Sequence, residues 1–202
     1  MDVVIIGGPM WLTRLLVCVW MTFGSTFGHA GVFEDVEAYL EGLKSAEARF
    51  VQVDPYGRVT GGILILDRPG NILFEFEDPS PLKIASDGVF VVVYDKISKE
   101  LQRFPLSATP LNLLLQDDVD LRGSGAVKLI EQSKDFVRLH LEDPEGKVPG
   151  SLMLIFEKNP MALKRWITTD AQGQKTTVIL ENMKQGGNYP RRLFVITDEI
   201  GN

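Results

Sequence analysis

The stretch DRPGNILFEFEDPSPLKIASDG, residues 67–88, decides how the rest of the chain is read. Ile72, Phe74 and Phe76 recur with a period of two, which sets three large apolar side chains on one face of a strand. Leu73, Glu75 and Glu77 stand on the other face, and the two carboxylates predict that this face is wet. Arg68-Pro69-Gly70 punctuates a preceding apolar strand, and Asp78-Pro79-Ser80-Pro81 ends this one. A short strand follows at residues 82–85, and Asp87-Gly88 reads as a tight hairpin turn into residues 89–95. The segment therefore describes neighbouring strands of a curved sheet with one oily side.

Upstream, residues 46–54 and 59–67 read as two more strands around the turn Asp54-Pro55-Tyr56-Gly57. The second carries Gly61-Gly62, a pair expected to mark a bulge or a sharp bend. Residues 31–44 form an amphipathic pattern, with Phe33, Val36, Leu40 and Leu43 at i, i+3, i+7 and i+10. Glu34, Asp35, Glu37 and Glu41 take its other side, and acids in the first turn suit the helix dipole.

Downstream, residues 89–94 are apolar on both faces and read as a central strand, followed by another at 100–106. Thr109-Pro110 supplies an N-cap and a proline at the first helical position. Leu111, Leu113, Leu114 and Leu115 then make a short helix with almost no polar side, which must be buried or cover something. Strands are expected at 125–132, 136–142, 152–156, 163–169, 175–181 and 192–197. Nearly a dozen short strands at this spacing indicate an all-β sandwich or barrel.

The chain has 202 residues, a formal net charge of −6 and a pI near 5.0, with no run of Lys or Arg. That excludes a nucleic-acid surface and reflects ordinary solvation. The first thirty residues differ from the rest. Arg14 precedes the apolar run from Leu15 to Phe23, and Gly28-His29-Ala30 offers small residues at −3 and −1 of a cleavage site, the pattern of a secretory signal peptide. The run is too short and Gly-broken for a membrane span. The residues before Met10 are superfluous to the signal, which makes Met10 an alternative start. Cys18 follows Val17 rather than a small residue, which argues against lipidation. Cleavage removes this one cysteine, leaving residues 31–202 as a single exported domain without disulfides.

Catalysis has little to work with. His29 leaves with the signal, so His140, between Leu139 and Leu141, is the remaining imidazole and reads as a surface or core residue. No nucleophile elbow, zinc-protease, phosphate-loop or dinucleotide fingerprint is present. Asp117-Asp118 near Asp120 lacks the ligand spacing of a calcium loop, and Ser86-Asp87-Gly88 is turn chemistry. No catalytic residue, metal or cofactor is expected. The positive signal is apolar: Phe50, Ile72, Phe74, Phe76, Phe90, Leu154, Phe156 and Trp166 lie on strands, and Leu111 and Leu114 on the mid-chain helix. Read from the residues alone, this set is either an ordinary barrel core or the wall of an apolar cavity.

The run from Gly62 to Gly70, Phe74-Glu75-Phe76, Pro79, Ser86-Asp87-Gly88 and Tyr94-Asp95 resembles the periplasmic lipoprotein carriers of the LolA family. Phe50-x-Gln52 and Pro105-Leu106-x-x-Thr109-Pro110-x-x-Leu113-Leu114 support the resemblance, which covers about residues 32–198 and is strongest from 50 to 116. It implies an incomplete, half-open antiparallel β-barrel of about eleven strands, with short helices forming a lid over a hydrophobic cavity for acyl chains. It also implies that Arg68 latches the lid by hydrogen-bonding its backbone, and that Phe74 and Phe76 line the cavity. The implied partners are acylated lipoproteins as cargo, an inner-membrane ABC-type release complex and an outer-membrane acceptor lipoprotein, with the protein itself a periplasmic monomer and not an enzyme. A C-terminal loop and strand found in some members has no counterpart after Thr197. A lipid-binding or envelope-sensing module on the same half-barrel, or an exported esterase, are the alternative readings.

Overall fold

The structure is a computed structural model that describes residues 30–117 and 120–196. Residues 1–29, which hold Cys18, His29 and nearly all of the expected export signal, the Asp118 position and Thr197 lie outside the described residues. Eleven strands form one antiparallel sheet: β1 (Ser45–Val53), β2 (Val59–Asp67), β3 (Asn71–Phe76), β4 (Leu82–Asp87), β5 (Phe90–Asp95), β6 (Leu101–Pro105), β7 (Val127–Gln132), β8 (Phe136–Leu141), β9 (Ser151–Glu157), β10 (Ala162–Thr169) and β11 (Lys175–Gln185). Their spatial order is β6-β5-β4-β3-β2-β1-β11-β10-β9-β8-β7. The chain meanders outward from β1 to one edge, crosses to the other edge, and meanders back until β11 pairs with β1. Strands β6 and β7 do not pair, so the barrel stays open along one seam.

Two helices belong to the concave side: α1 (Ala30–Gly42) and α2 (Asn112–Leu115), the latter preceded by a 3-10 turn at Leu106–Ala108. Strand burial alternates as the period of two demands. Phe50, Leu64, Ile72, Phe74, Phe76, Leu154, Phe156 and Trp166 are buried with Val36, Leu40 and Leu43 of the α1 segment and Leu114 and Leu115 of α2 in one apolar cluster. Single-residue register shifts at Glu47/Arg49, Val127/Leu129 and Leu163/Arg165 add local twist, which helps the sheet curl around this cluster.

Several expectations are corrected. Gly61-Gly62 is no bulge, since β2 keeps register with both neighbours through the pair. The glycines instead permit close approach: a Cβ on Gly62 would sit 2.0 Å from the carbonyl oxygen of Glu75. The outer face of β3 to β5 is only partly wet. Glu75 is met there by Lys83 and Lys96, but Leu73, Ala85, Val92 and Tyr94 form a second buried cluster beneath Phe194 and Ile196. The final segment is accordingly no strand at 192–194. It forms a 3-10 turn at Arg191–Phe194, because Leu193 and Phe194 must face the sheet rather than extend it. That second cluster is why β5 is apolar on both faces while lying next to an edge strand. Thr109 is no helix N-cap; its hydroxyl donates to the Leu106 carbonyl at 2.8 Å and closes the 3-10 turn, leaving α2 only four residues. The first turn of α1 carries no acid, because the helix starts earlier than the charge pattern suggests.

Candidate functional site

The site is the concave interior and the two helices over it. Its wall is aromatic because adjacent strands bring their inward side chains into register. Phe50 and Phe76 stand opposite Gly62 on the two strands that flank it. With no side chain between them, their rings meet edge to face with centroids 5.0 Å apart. Phe50 also meets Phe74 at 5.2 Å, and Phe74 meets Trp166 at 6.2 Å, both edge to face. Edge-to-face pairs match a positive ring edge to a negative face. Tyr39 of α1 reaches the same wall through Phe156, at 5.7 Å.

The predicted lining residues Phe50, Ile72, Phe74, Phe76, Leu154, Phe156 and Trp166 are brought together here, with Leu114 beside them and Leu111 half-buried at the margin. Phe90 is not. On β5 the alternation sends Val91 inward and Phe90 to the outer face, where the Arg103 guanidinium lies 4.9 Å from its ring. Among the described residues the helices' own side chains pack into the space among the rings, Leu40, Leu43, Leu114 and Leu115 being each 1% exposed. Open space lies at the rim. A cavity of about 210 Å³ separates the 107–116 arm from the loop at Asp143–Gly150. Another of about 200 Å³ lies on the arm's other flank, against Thr168, Thr169 and Thr176.

Arg68 ties the helices to the barrel. It follows β2 and is 7% exposed. Its Nε donates to the Gln116 carbonyl at 2.8 Å, and one terminal nitrogen donates to the Leu43 carbonyl at 3.0 Å and also to that of Leu40. The other donates to the carbonyls of Gln116 and of Asp117, the latter at 3.2 Å. These carbonyls close α1 and α2, and the last turns of helices leave such acceptors without intrahelical partners, at the negative end of the dipole. One planar cation thus completes two helix ends at once. Backbone bonds reinforce it, Arg68 N–H to Lys44 at 2.7 Å and Gly70 N–H to Leu115 at 2.8 Å.

The turns flagged in the sequence lie beneath these Arg68 contacts. Gly70 has φ +79°, and a Cβ there would fall 2.4 Å from the Cα of Gly88, so the β2–β3 and β4–β5 turns stack directly. The Asp87 carboxylate accepts from the N–H groups of Val89 and Phe90 at 2.9 and 2.8 Å. Sequence reasoning missed the α1 leucines as filling for the interior, although their helical spacing with Val36 was the available signal. His140 lies on the outer face, 3.8 Å from the Glu131 carboxylate. Among the described residues no helix is long and apolar enough to cross a membrane.

Residues 41–197 match the family described as outer membrane lipoprotein carrier protein LolA. An uncharacterized protein of Rickettsia prowazekii (strain Madrid E) is 35% identical over 82 residues, 41% of this chain and 38% of that protein, so the chain matches well under half of its relative's length. Among solved structures, a DUF1329 family protein of Desulfovibrio piger superposes with a TM-score of 0.51 at 14% identity, covering 82% of this chain and 96% of that one. A domain described as an outer membrane lipoprotein-sorting protein, from Vibrio parahaemolyticus, gives a TM-score of 0.50 at 10% identity, with 81% and 94% covered. At these identities the structures show a shared fold.

Proposed function

The chain belongs to the LolA family of outer membrane lipoprotein carrier proteins, and on that footing we propose that it is a non-enzymatic carrier of acylated lipoproteins between the two membranes of the envelope. Cargo comes from an inner-membrane ABC-type release complex, and the acyl chains are delivered to an acceptor at the outer membrane. The observation that carries this reading is Arg68, one buried guanidinium bonded to the ends of both helices whose leucines fill an aromatic-walled interior. The interior is a place that the lid and an acyl chain would occupy in turn.

The energetics favour such a competition. A buried acyl chain gains about 0.8 kcal/mol per CH₂, so several chains in an empty cavity would bind near the practical ceiling of about −18 to −21 kcal/mol and would not be released. Displacing the protein's own leucines offsets part of that gain. The arm carrying α2 yields more readily than α1. It fully buries Leu114 and Leu115 and packs Leu111 and Leu113, whereas the α1 segment buries Val36, Leu40 and Leu43 and packs Val32, Phe33 and Tyr39. At about 1.5–3 kcal/mol for each fully buried side chain, lifting the arm costs less. The arm also has open space on both flanks. On loading, Arg68 keeps the Leu40 and Leu43 carbonyls and releases those of Gln116 and Asp117.

The test is extraction. Vesicles bearing a triacylated lipopeptide are mixed with the purified protein and separated by flotation. A soluble one-to-one complex supports the reading, and lipopeptide that stays wholly with the vesicles contradicts it. Hydrolysis of a chromogenic acyl ester by the same preparation would overturn the non-enzymatic part.

A further inference from the structure

Beside α1 lies a further cavity of about 380 Å³, within the range of small-ligand sites. Its floor is apolar and continuous with the interior, since Leu163 and Leu180 belong to the same buried cluster as Phe156 and Trp166. Met161 and Met183 form adaptable sides that can mould to an irregular group. At its inner end the Tyr39 hydroxyl is buried and makes no hydrogen bond of good geometry among the described residues. The Leu163 backbone and the Gln185 amide lie nearest it, and burial outweighs them in pushing its pKa up, so it is a neutral donor. A buried polar group left unbonded costs about 1–3 kcal/mol, which a bound acceptor would relieve.

The polar rim narrows the ligand. Asn182 and Gln185 contribute neutral amides, and Asn182 is held in the left-handed region at φ 51°. The one cation lining the cavity, Lys164, is already engaged with Glu157 at 3.1 Å. No free positive charge is offered to a carboxylate or a phosphate. Resting on the carrier reading above, we propose that this cavity seats the neutral ester-linked glyceryl junction of the cargo, Tyr39 donating to an ester carbonyl while the acyl chains run past Leu163 and Leu180 into the interior. The site discriminates ester-linked lipopeptide from free fatty acid. It is formed with the arm closed and depends on α1, which stays in place when the arm lifts.

The experiment compares a diacylglyceryl lipopeptide with a free fatty acid of the same chain length, each titrated into the parent protein, Tyr39→Phe and Met183→Trp, with folding checked by circular dichroism. The expected result is about a 5- to 10-fold loss of lipopeptide affinity in Tyr39→Phe, the worth of one hydrogen bond. A larger loss is expected in Met183→Trp, where the indole fills the cavity, with fatty-acid affinity unchanged in both. Unchanged lipopeptide affinity, or equal loss for both ligands, overturns the junction site while leaving the carrier reading intact. Failure of the parent to bind either ligand overturns both.

Discussion

Arg68 Nε lies 2.8 Å from the carbonyl oxygen of Gln116, 48 residues away in sequence. That bond ties the end of β2 to the arm that carries α2. Arg68→Leu leaves the carbonyls of Leu40, Leu43, Gln116 and Asp117 without their cation in a largely buried place. The closed form should lose about 2–4 kcal/mol, since bonds to charged groups are worth about 1.5–3 each but share one side chain. Tm should fall by roughly 5–15 °C. Hydrogen exchange at residues 106–117 should rise more than at β8 to β10. Arg68→Lys should recover only part of this, because an ammonium cannot span acceptors from both helix ends.

Gly62 is the second residue the fold cannot vary. A methyl there would meet the Glu75 carbonyl at 2.0 Å and force apart strands that carry Phe50 and Phe76. Gly62→Ala should cost about 3 kcal/mol or more, read as a fall in urea midpoint. Gly42→Ala at the end of α1, where nothing lies within 4 Å of the added carbon, should instead leave the urea midpoint close to that of the parent.

Two leucines separate the proposed lid from the wall. Leu154 in β9 and Leu114 in α2 are almost equally buried. Leu154→Ala should lower global stability by about 2–5 kcal/mol. Leu114→Ala weakens the arm's own docking, so its effect should appear as faster exchange at residues 112–116 and as increased uptake of a fluorescent acyl probe, a gain that Leu154→Ala should not show.

The acid limb of stability should come from turn carboxylates. Asp95 is held below the usual carboxylate range by the Ser98 N–H and then the Ile97 N–H. The Val148 N–H does the same for Asp143, against partial burial and with help from Glu145 and Lys147. A carboxylate whose folded pKa is depressed stabilises above its unfolded pKa of about 3.9, and that contribution is lost as pH falls through the folded value. Tm should be flat from about pH 8 to 5 and decline below about pH 4. Asp95→Asn, which keeps the turn acceptor but cannot titrate, should shallow that decline.

The strands were legible because inward and outward residues alternate: Ile72, Phe74 and Phe76 locate a face whichever partner covers it. The interior wall followed from them, and Arg68 from its family resemblance. What escaped the sequence is tertiary. Phe90 is as apolar as Val91, and only the pleat decides which of them faces in. Leu73 sits beside two glutamates, and its burial depends on Phe194, more than a hundred residues later. Thr109-Pro110 has the chemistry of a helix start, but the Leu106 carbonyl captures the hydroxyl. Whether the space beneath the helices is empty or filled is invisible to a pattern that marks Leu40 and Leu114 merely as apolar.

Trp166 is the one tryptophan in residues 31–202, is 2% exposed, and touches Phe74 at the centre of the interior. It reports directly on whether acyl chains enter there. Residues 31–202 should be mixed with a triacylated lipopeptide carrying bromine on its acyl chains, and Trp166 emission compared with that in the unbrominated lipopeptide. Bromine quenches only near contact, so strong quenching by the brominated chains alone is the predicted result. Binding of the lipopeptide, seen by flotation, with Trp166 emission unchanged would place the chains elsewhere and contradict the account.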